Sequence, residues 1–152
     1  MDPVLETEIR DFVGALDGVV VQVASAEDGA PEVAWGDTFF FYDPEGDTPA
    51  NRRFPFATIV IKDYDGFDTA SDLNREGVFR VNVWVGTETF GALFDAAEDE
   101  PDPTALDTPI PHPTYAAQHW VSILNPDATS DLLRSILREA HARAVERHRT
   151  PG

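Results

Sequence analysis

Four side chains on two strand-like segments are the first candidates for chemistry in this sequence: Lys62, Arg80, Asn82 and Trp84. Arg80, Asn82 and Trp84 take alternate positions in Gly77-Val-Phe-Arg-Val-Asn-Val-Trp-Val-Gly86, so a strand would carry all three on one face. Lys62 closes the segment Phe54-Pro-Phe-Ala-Thr-Ile-Val-Ile-Lys and is the only lysine in the chain. Cations, an amide and an indole on rigid strands could bind an anionic or planar ligand. The competing reading is an ordinary solvated sheet face with cross-strand pairs, such as Arg80 with Asp37 or Asp63.

A second cluster surrounds the histidines. Pro111-His-Pro constrains the backbone around His112, Tyr115 follows closely, and His119 stands beside Trp120. The loop carrying His112 and Tyr115 is therefore a second candidate binding region. With an acid such as Asp68, His112 and His119 could also form a mixed histidine–carboxylate metal site in a metal-dependent enzyme. Their spacing matches no recognised ligand motif. The alternative is that His112 shapes a loop and His119 is a strand residue, while His141 and His148 belong to the surface of an arginine-rich helix. Asp63-Tyr-Asp-Gly-Phe-Asp fails as a calcium loop, because its glycine comes too early and Asn74 stands where a closing Glu is needed. No serine lies in a Gly-x-Ser-x-Gly elbow, no phosphate-binding glycine loop occurs, and no cofactor is called for. No catalytic mechanism is nominated by these residues.

Composition narrows the setting. A chain of 152 residues is read as one domain, large enough to bury a core without staples. The absence of cysteine excludes disulfides, thiolate zinc sites and a cysteine nucleophile. No apolar run spans a bilayer and the start lacks a signal peptide's basic residues, so a soluble, cytoplasmic protein with no membrane partner is expected. Asp and Glu number 28 against 11 Lys and Arg, for a net charge of −17. Dispersed carboxylates together with depleted lysine suit halophilic adaptation, in which strong salt screens their repulsion. A surface that mimics nucleic acid or attracts a basic partner is the other reading. Nucleic acid as a partner is disfavoured, since phosphate contacts need clustered Lys and Arg. The segment after Asp127 is the exception, with five arginines against three acids.

Periodicity supplies the elements that must position these residues. Leu5, Ile9, Phe12 and Leu16 mark a helix over 3–16, with Asp2 and Pro3 at its start and Gly18 at its end. Val19 to Ala24 alternates as a strand. Glu32 to Tyr42 is extended, with Gly36-Asp37 dividing it into two short strands or marking a bulge. The two central strands follow, joined by a polar connection that carries one helical turn around Ser71 to Asn74. Thr87 to Asp95 is a short helix, and residues 96–118 are irregular. His119 to Leu124 is the last strand, stopped by Asn125-Pro126. Thr129, Ser130 and Asp131 begin a C-terminal helix whose core face holds Leu132 or Leu133, Ile136, Leu137, Ala140, Ala144 and Val145. Helix, about five strands with one helix inserted, then helix predicts an α+β two-layer sandwich. Its antiparallel sheet would have both terminal helices on one face and the other at least partly open.

Several ordered motifs resemble domain-of-unknown-function family 6194. They are Phe54-Pro-Phe-Ala-Thr-Ile-Val; Asp68-Thr-Ala-Ser-Asp-Leu-Asn-Arg-Glu-Gly-Val-Phe-Arg-Val-Asn; Thr104-Ala-Leu-Asp; Pro111-His-Pro-Thr-Tyr; and Trp120-Val-Ser-Ile-Leu-Asn-Pro. The likeness spans nearly the whole chain and implies no established activity. Two departures are visible: a longer Asp63-Tyr-Asp-Gly-Phe turn, and His141 where a Tyr is common. A fainter likeness links the sheet, the C-terminal helix and the His119-Trp120 strand start to the YjbR and CyaY-like fold. That fold group is supposed to include DNA binders and iron binders. The functional expectation is a binding module for a small molecule or protein, a second copy of the chain included, with the metal-dependent enzyme as the alternative.

Overall fold

The computed structural model describes residues 6–28, 32, 35–49, 53–64, 68–96 and 100–149. These residues form three α-helices and a six-stranded antiparallel sheet. In chain order the elements are α1 (Glu6–Gly14), β1 (Val19–Val23), β2 (Thr38–Tyr42), β3 (Ala57–Val60) and β4 (Arg80–Trp84), then α2 (Thr87–Phe94), β5 (Pro109–Pro111), β6 (Trp120–Leu124) and α3 (Ser130–Arg149). The strand order is β1-β2-β3-β4-β6-β5, and each neighbouring pair is antiparallel.

Alternation sorts the sheet into two faces. Phe40, Ala57, Ile59, Val81, Val83, Val121 and Ile123 are buried against Ile9 and Val13 of α1 and Leu133, Ile136, Leu137 and Ala140 of α3. This is the main core, and the terminal helices cover it as expected. Asp2 and Pro3, assigned to the helix start, lie outside the described residues.

The other face is not bare. The connection from β3 to β4 folds back across one end of it, and Val60, Leu73, Ile110 and Leu124 make a second, smaller core with Tyr64 and Val78 against it. This connection contains turns rather than the helical turn expected at Ser71–Asn74, with positive φ at Asp72 (52°) and Gly77 (74°). Glycine tolerates such a φ freely, while Asp is among the few other residues that visit it routinely. Three further differences stand out. Residues 96–118 contain the short strand β5, where Ile110 alone is buried between two prolines. The extended reading from Glu32 contracts to Thr38–Tyr42, preceded by a turn in which the Trp35 N–H donates to Glu32 O. His119 is not a strand residue; it takes a left-handed conformation (φ 69°) just before β6.

Helix ends are fixed from a distance. The Asp107 carboxylate accepts from the backbone N–H groups of Asp127, Ala128 and Thr129 and from the Thr129 hydroxyl, at 2.6–3.0 Å. It thereby satisfies orphan donors at the start of α3. Glu139 of α3 similarly receives the Gly86 N–H (2.8 Å) and the Thr89 hydroxyl (2.5 Å) at the start of α2.

Candidate functional site

Arg80 is wholly buried on the sheet face opposite the helices. A guanidinium can occupy such a place only with its charge compensated and its donors satisfied. Asp68, from the β3–β4 connection, provides both: one carboxylate oxygen accepts from Nη1 at 3.2 Å and the other from Nη2. Nη1 also donates to Ser71 Oγ (3.0 Å), and Nε donates to Asn82 Oδ1 (2.9 Å). Asn82 extends the network laterally. Its Nδ2 donates to Thr58 Oγ1 on β3 (3.0 Å), and its Oδ1 accepts from Ser122 Oγ on β6 (2.7 Å). Register makes this possible, because Thr58, Asn82 and Ser122 are directly opposite one another. The partner of Arg80 is thus Asp68, not Asp37 or Asp63.

Asp37 and Asp63 have other tasks. Asp37 is buried and accepts from the Tyr64 hydroxyl and from the Ile61 N–H (2.9 Å), tying the connection to β2. Burial pushes its carboxyl above the usual carboxylate range, against the opposing effects of those two hydrogen bonds and of Lys62. Asp63 accepts from the Leu73 N–H at 2.7 Å. Lys62 donates to the Trp35 carbonyl, away from Arg80. Trp84 also diverges: its ring lies under the α3 guanidinium groups of Arg143 (3.8 Å to centroid) and Arg147 (5.6 Å). Of the four strand candidates, Arg80 and Asn82 are joined; Lys62 and Trp84 stand apart.

His112 follows β5 and is 4% exposed. Its Nδ1 accepts two backbone hydrogen bonds, from Thr114 (2.9 Å) and Tyr115 (3.1 Å). A nitrogen that accepts two N–H groups carries no proton, so the ring proton resides on Nε2. Burial, helped by the nearby Arg80 charge and opposed by Asp68, lowers the His112 pKa to about 4. The ring is therefore neutral at pH 7 and held as a hydrogen-bond donor through Nε2. Among the described residues that Nε2 has no hydrogen-bond partner. The Tyr115 ring, on an exposed side chain, lies 4.9 Å from the His112 ring.

The other metal candidates are dispersed. The His119 ring packs on Phe90 (5.3 Å between centroids), with Nδ1 3.4 Å from Thr87 Oγ1. Asp68 is engaged by Arg80, and no group of three His, Asp or Glu among the described residues is placed to hold a metal ion. His141 and His148 both stack edge-on against Tyr42, with His148 3.3 Å from Glu45. Sequence reasoning missed Asp68 as the ion-pair partner, and with it Ser71, Thr58, Ser122, Asp37 and Asp107. The single available sign was the motif containing Asp68, Ser71, Arg80 and Asn82.

An antiparallel sheet with both terminal helices on one face, and a polar network under a folded-back connection on the other, defines a two-layer α+β domain. The chain belongs to the family of unknown function DUF6194, whose family model matches residues 2–151. Comparisons with curated proteins and with solved structures give no match. No helix among the described residues is long and apolar enough to cross a membrane.

Proposed function

We propose that this domain is a ligand-binding module whose recognition site is the loop carrying His112 and Tyr115, supported from below by Arg80 and Asn82. The observation that carries this reading is the His112 Nε2–H, a donor in a largely buried ring with its tautomer fixed and no acceptor among the described residues. Among the described residues the buried side-chain atoms without a hydrogen-bond partner are Glu6 Oε2 and Arg53 Nε, so the His112 Nε2–H meets solvent. A ligand acceptor placed there exchanges a water hydrogen bond for its own, at a net gain of about 0.5–1.5 kcal/mol. Arg80 and Asn82 support this site without reading the ligand, since their hydrogen bonds are already made within the protein. A neutral donor beside an exposed aromatic ring suits a planar compound or peptide presenting a carbonyl or carboxylate oxygen. We place the module in the cytoplasm of a high-salt cell, a reading supported by the absent cysteines and the dispersed acids.

The test is a thermal-shift screen of carboxylates, amides, nucleobases and short peptides on wild type and His112→Phe. At least one acceptor-bearing compound is expected to raise the melting temperature of wild type and not of the variant. Equal responses to every compound would remove the proposal.

A further inference from the structure

The two edges of the sheet are built differently. One edge is β5, where Pro109 and Pro111 have no N–H to offer an incoming strand, and such prolines blunt an edge. The other edge is β1, whose sequence Val19-Val-Val-Gln-Val23 contains no proline, glycine or charge. In an acidic protein with only 11 basic residues this is an uncharged strip.

Hydrogen bonds outside the strands themselves fix which backbone groups of β1 face outward. The Asp43 N–H donates to Gly18 O, and the Ala24 N–H donates to Asp37 O, both at 2.9 Å. Antiparallel pairs alternate, so residues 18, 20, 22 and 24 direct their N–H and C=O groups to β2. Val19, Val21 and Val23 direct theirs away from the sheet. The Val19 N–H turns back to Leu16 O at 3.3 Å, which leaves the N–H and C=O groups of Val21 and Val23 and the Val19 C=O facing outward. The side chains match: Val21 is 36% and Val23 42% exposed.

We propose that β1 is a self-association edge, which pairs antiparallel with β1 of a second copy about a two-fold axis at Val21. In this register Val21 exchanges two hydrogen bonds with its own equivalent. Each Val23 N–H reaches the partner copy's strand at the position of Val19 C=O, giving about four inter-chain bonds. Val21 meets Val21, Val19 meets Val23 and Val20 meets Gln22, so no carboxylate enters any pair. The exposed valines of both copies then form one apolar strip on the helix-bearing side. A second copy fits this edge because every pair is self-complementary; a charged partner strand would face uncharged positions. Two chains of −17 repel each other at low salt, so association strengthens as salt screens that repulsion.

The experiment is analytical ultracentrifugation of the full chain from micromolar to millimolar protein, in dilute buffer and in molar KCl, with Val21→Lys and Val21→Thr alongside. Wild type and Val21→Thr are expected to reach twice the chain mass in KCl, and Val21→Lys to remain at the chain mass while keeping its far-ultraviolet circular dichroism. Amide exchange of wild type reads the same contact without a variant. Val21 and Val23 are expected to exchange at least several-fold more slowly in the associated sample, with Val20 and Gln22 little changed. A wild type that stays at the chain mass under every condition overturns the proposal. So does a mass doubling that leaves the Val21 and Val23 amides unprotected.

Discussion

Removing the carboxylate that compensates Arg80 should be among the most damaging single changes to this domain. In Asp68→Ala the guanidinium stays at a site where its side chain is 1% exposed, having lost the acceptor of Nη2 and one of the two acceptors of Nη1, which keeps only Ser71 Oγ. Two lost hydrogen bonds alone would cost about 2 kcal/mol. The uncompensated buried charge sets the larger scale, and breaking such a pair costs about 3–5 kcal/mol. Against the ~5–15 kcal/mol that holds a typical domain together, that is a fifth or more of the total. At about 2–4 °C per kcal/mol for a chain of this size, melting should fall by roughly 6–20 °C. Urea unfolding followed by tryptophan fluorescence measures the loss directly. The double variant Asp68→Ala with Arg80→Met removes both charges, and Asn82 Oδ1 keeps its bond from Ser122. It should therefore be more stable than Asp68→Ala alone. A single-variant loss below about 1 kcal/mol, typical of an exposed pair, would refute the buried-pair account. So would a double variant whose loss equals the sum of the two singles.

Other consequences follow from separate parts of the molecule. Asp107→Ala removes the acceptor of four hydrogen bonds at the start of α3 and should cost about 1–2 kcal/mol, read as a lower urea midpoint. The same hydrogen bonds outweigh burial and hold the Asp107 pKa at about 2, so its contribution is present above the ordinary value of 3.8 and is lost as pH falls toward 2. His112 acts at higher pH. Its folded pKa of about 4 lies below the ordinary 6.5, so its neutral form favours folding above pH 6.5, and stability declines as pH falls from there toward 4. At about 1.4 kcal/mol per pKa unit this amounts to ~3 kcal/mol, and His112→Gln should flatten that part of the pH profile. Raising KCl from dilute to molar should increase the melting temperature as the −17 charge is screened; a melting temperature independent of salt would contradict salt adaptation.

Period-two alternation made the sheet legible. It separated Val81 and Val83 from Arg80 and Asn82, and period 3.6 found Leu133, Ile136, Leu137 and Ala140 on α3. These patterns reflect burial on one side of a regular element, which composition reports directly. β5 lacked such a pattern because a three-residue strand with prolines at both ends buries one side chain. The partner of Arg80 depended on how the β3–β4 connection turns back, through Asp72 and Gly77, and periodicity carries no information about such turns. Trp84 shows the limit of face assignment. It alternates with Arg80 and Asn82, yet α3 reaches its ring at the end of β4. The sequence pointed to His112 through Pro111-His-Pro. It held no sign of the proton's position, which is set by two main-chain donors two and three residues later.

The central claim is that His112 is a neutral imidazole with a fixed Nε2–H offered outward to a ligand. Nitrogen-15 spectra of histidine-labelled protein, titrated in pH and then against the acceptor-bearing compounds of the screen, test it most directly. The account predicts an unprotonated Nδ1 and a protonated Nε2 at pH 7, a midpoint near 4, and an Nε2 signal that moves when a compound binds. A midpoint near 6.5, or an Nε2 resonance indifferent to every compound that stabilises the protein, would contradict it.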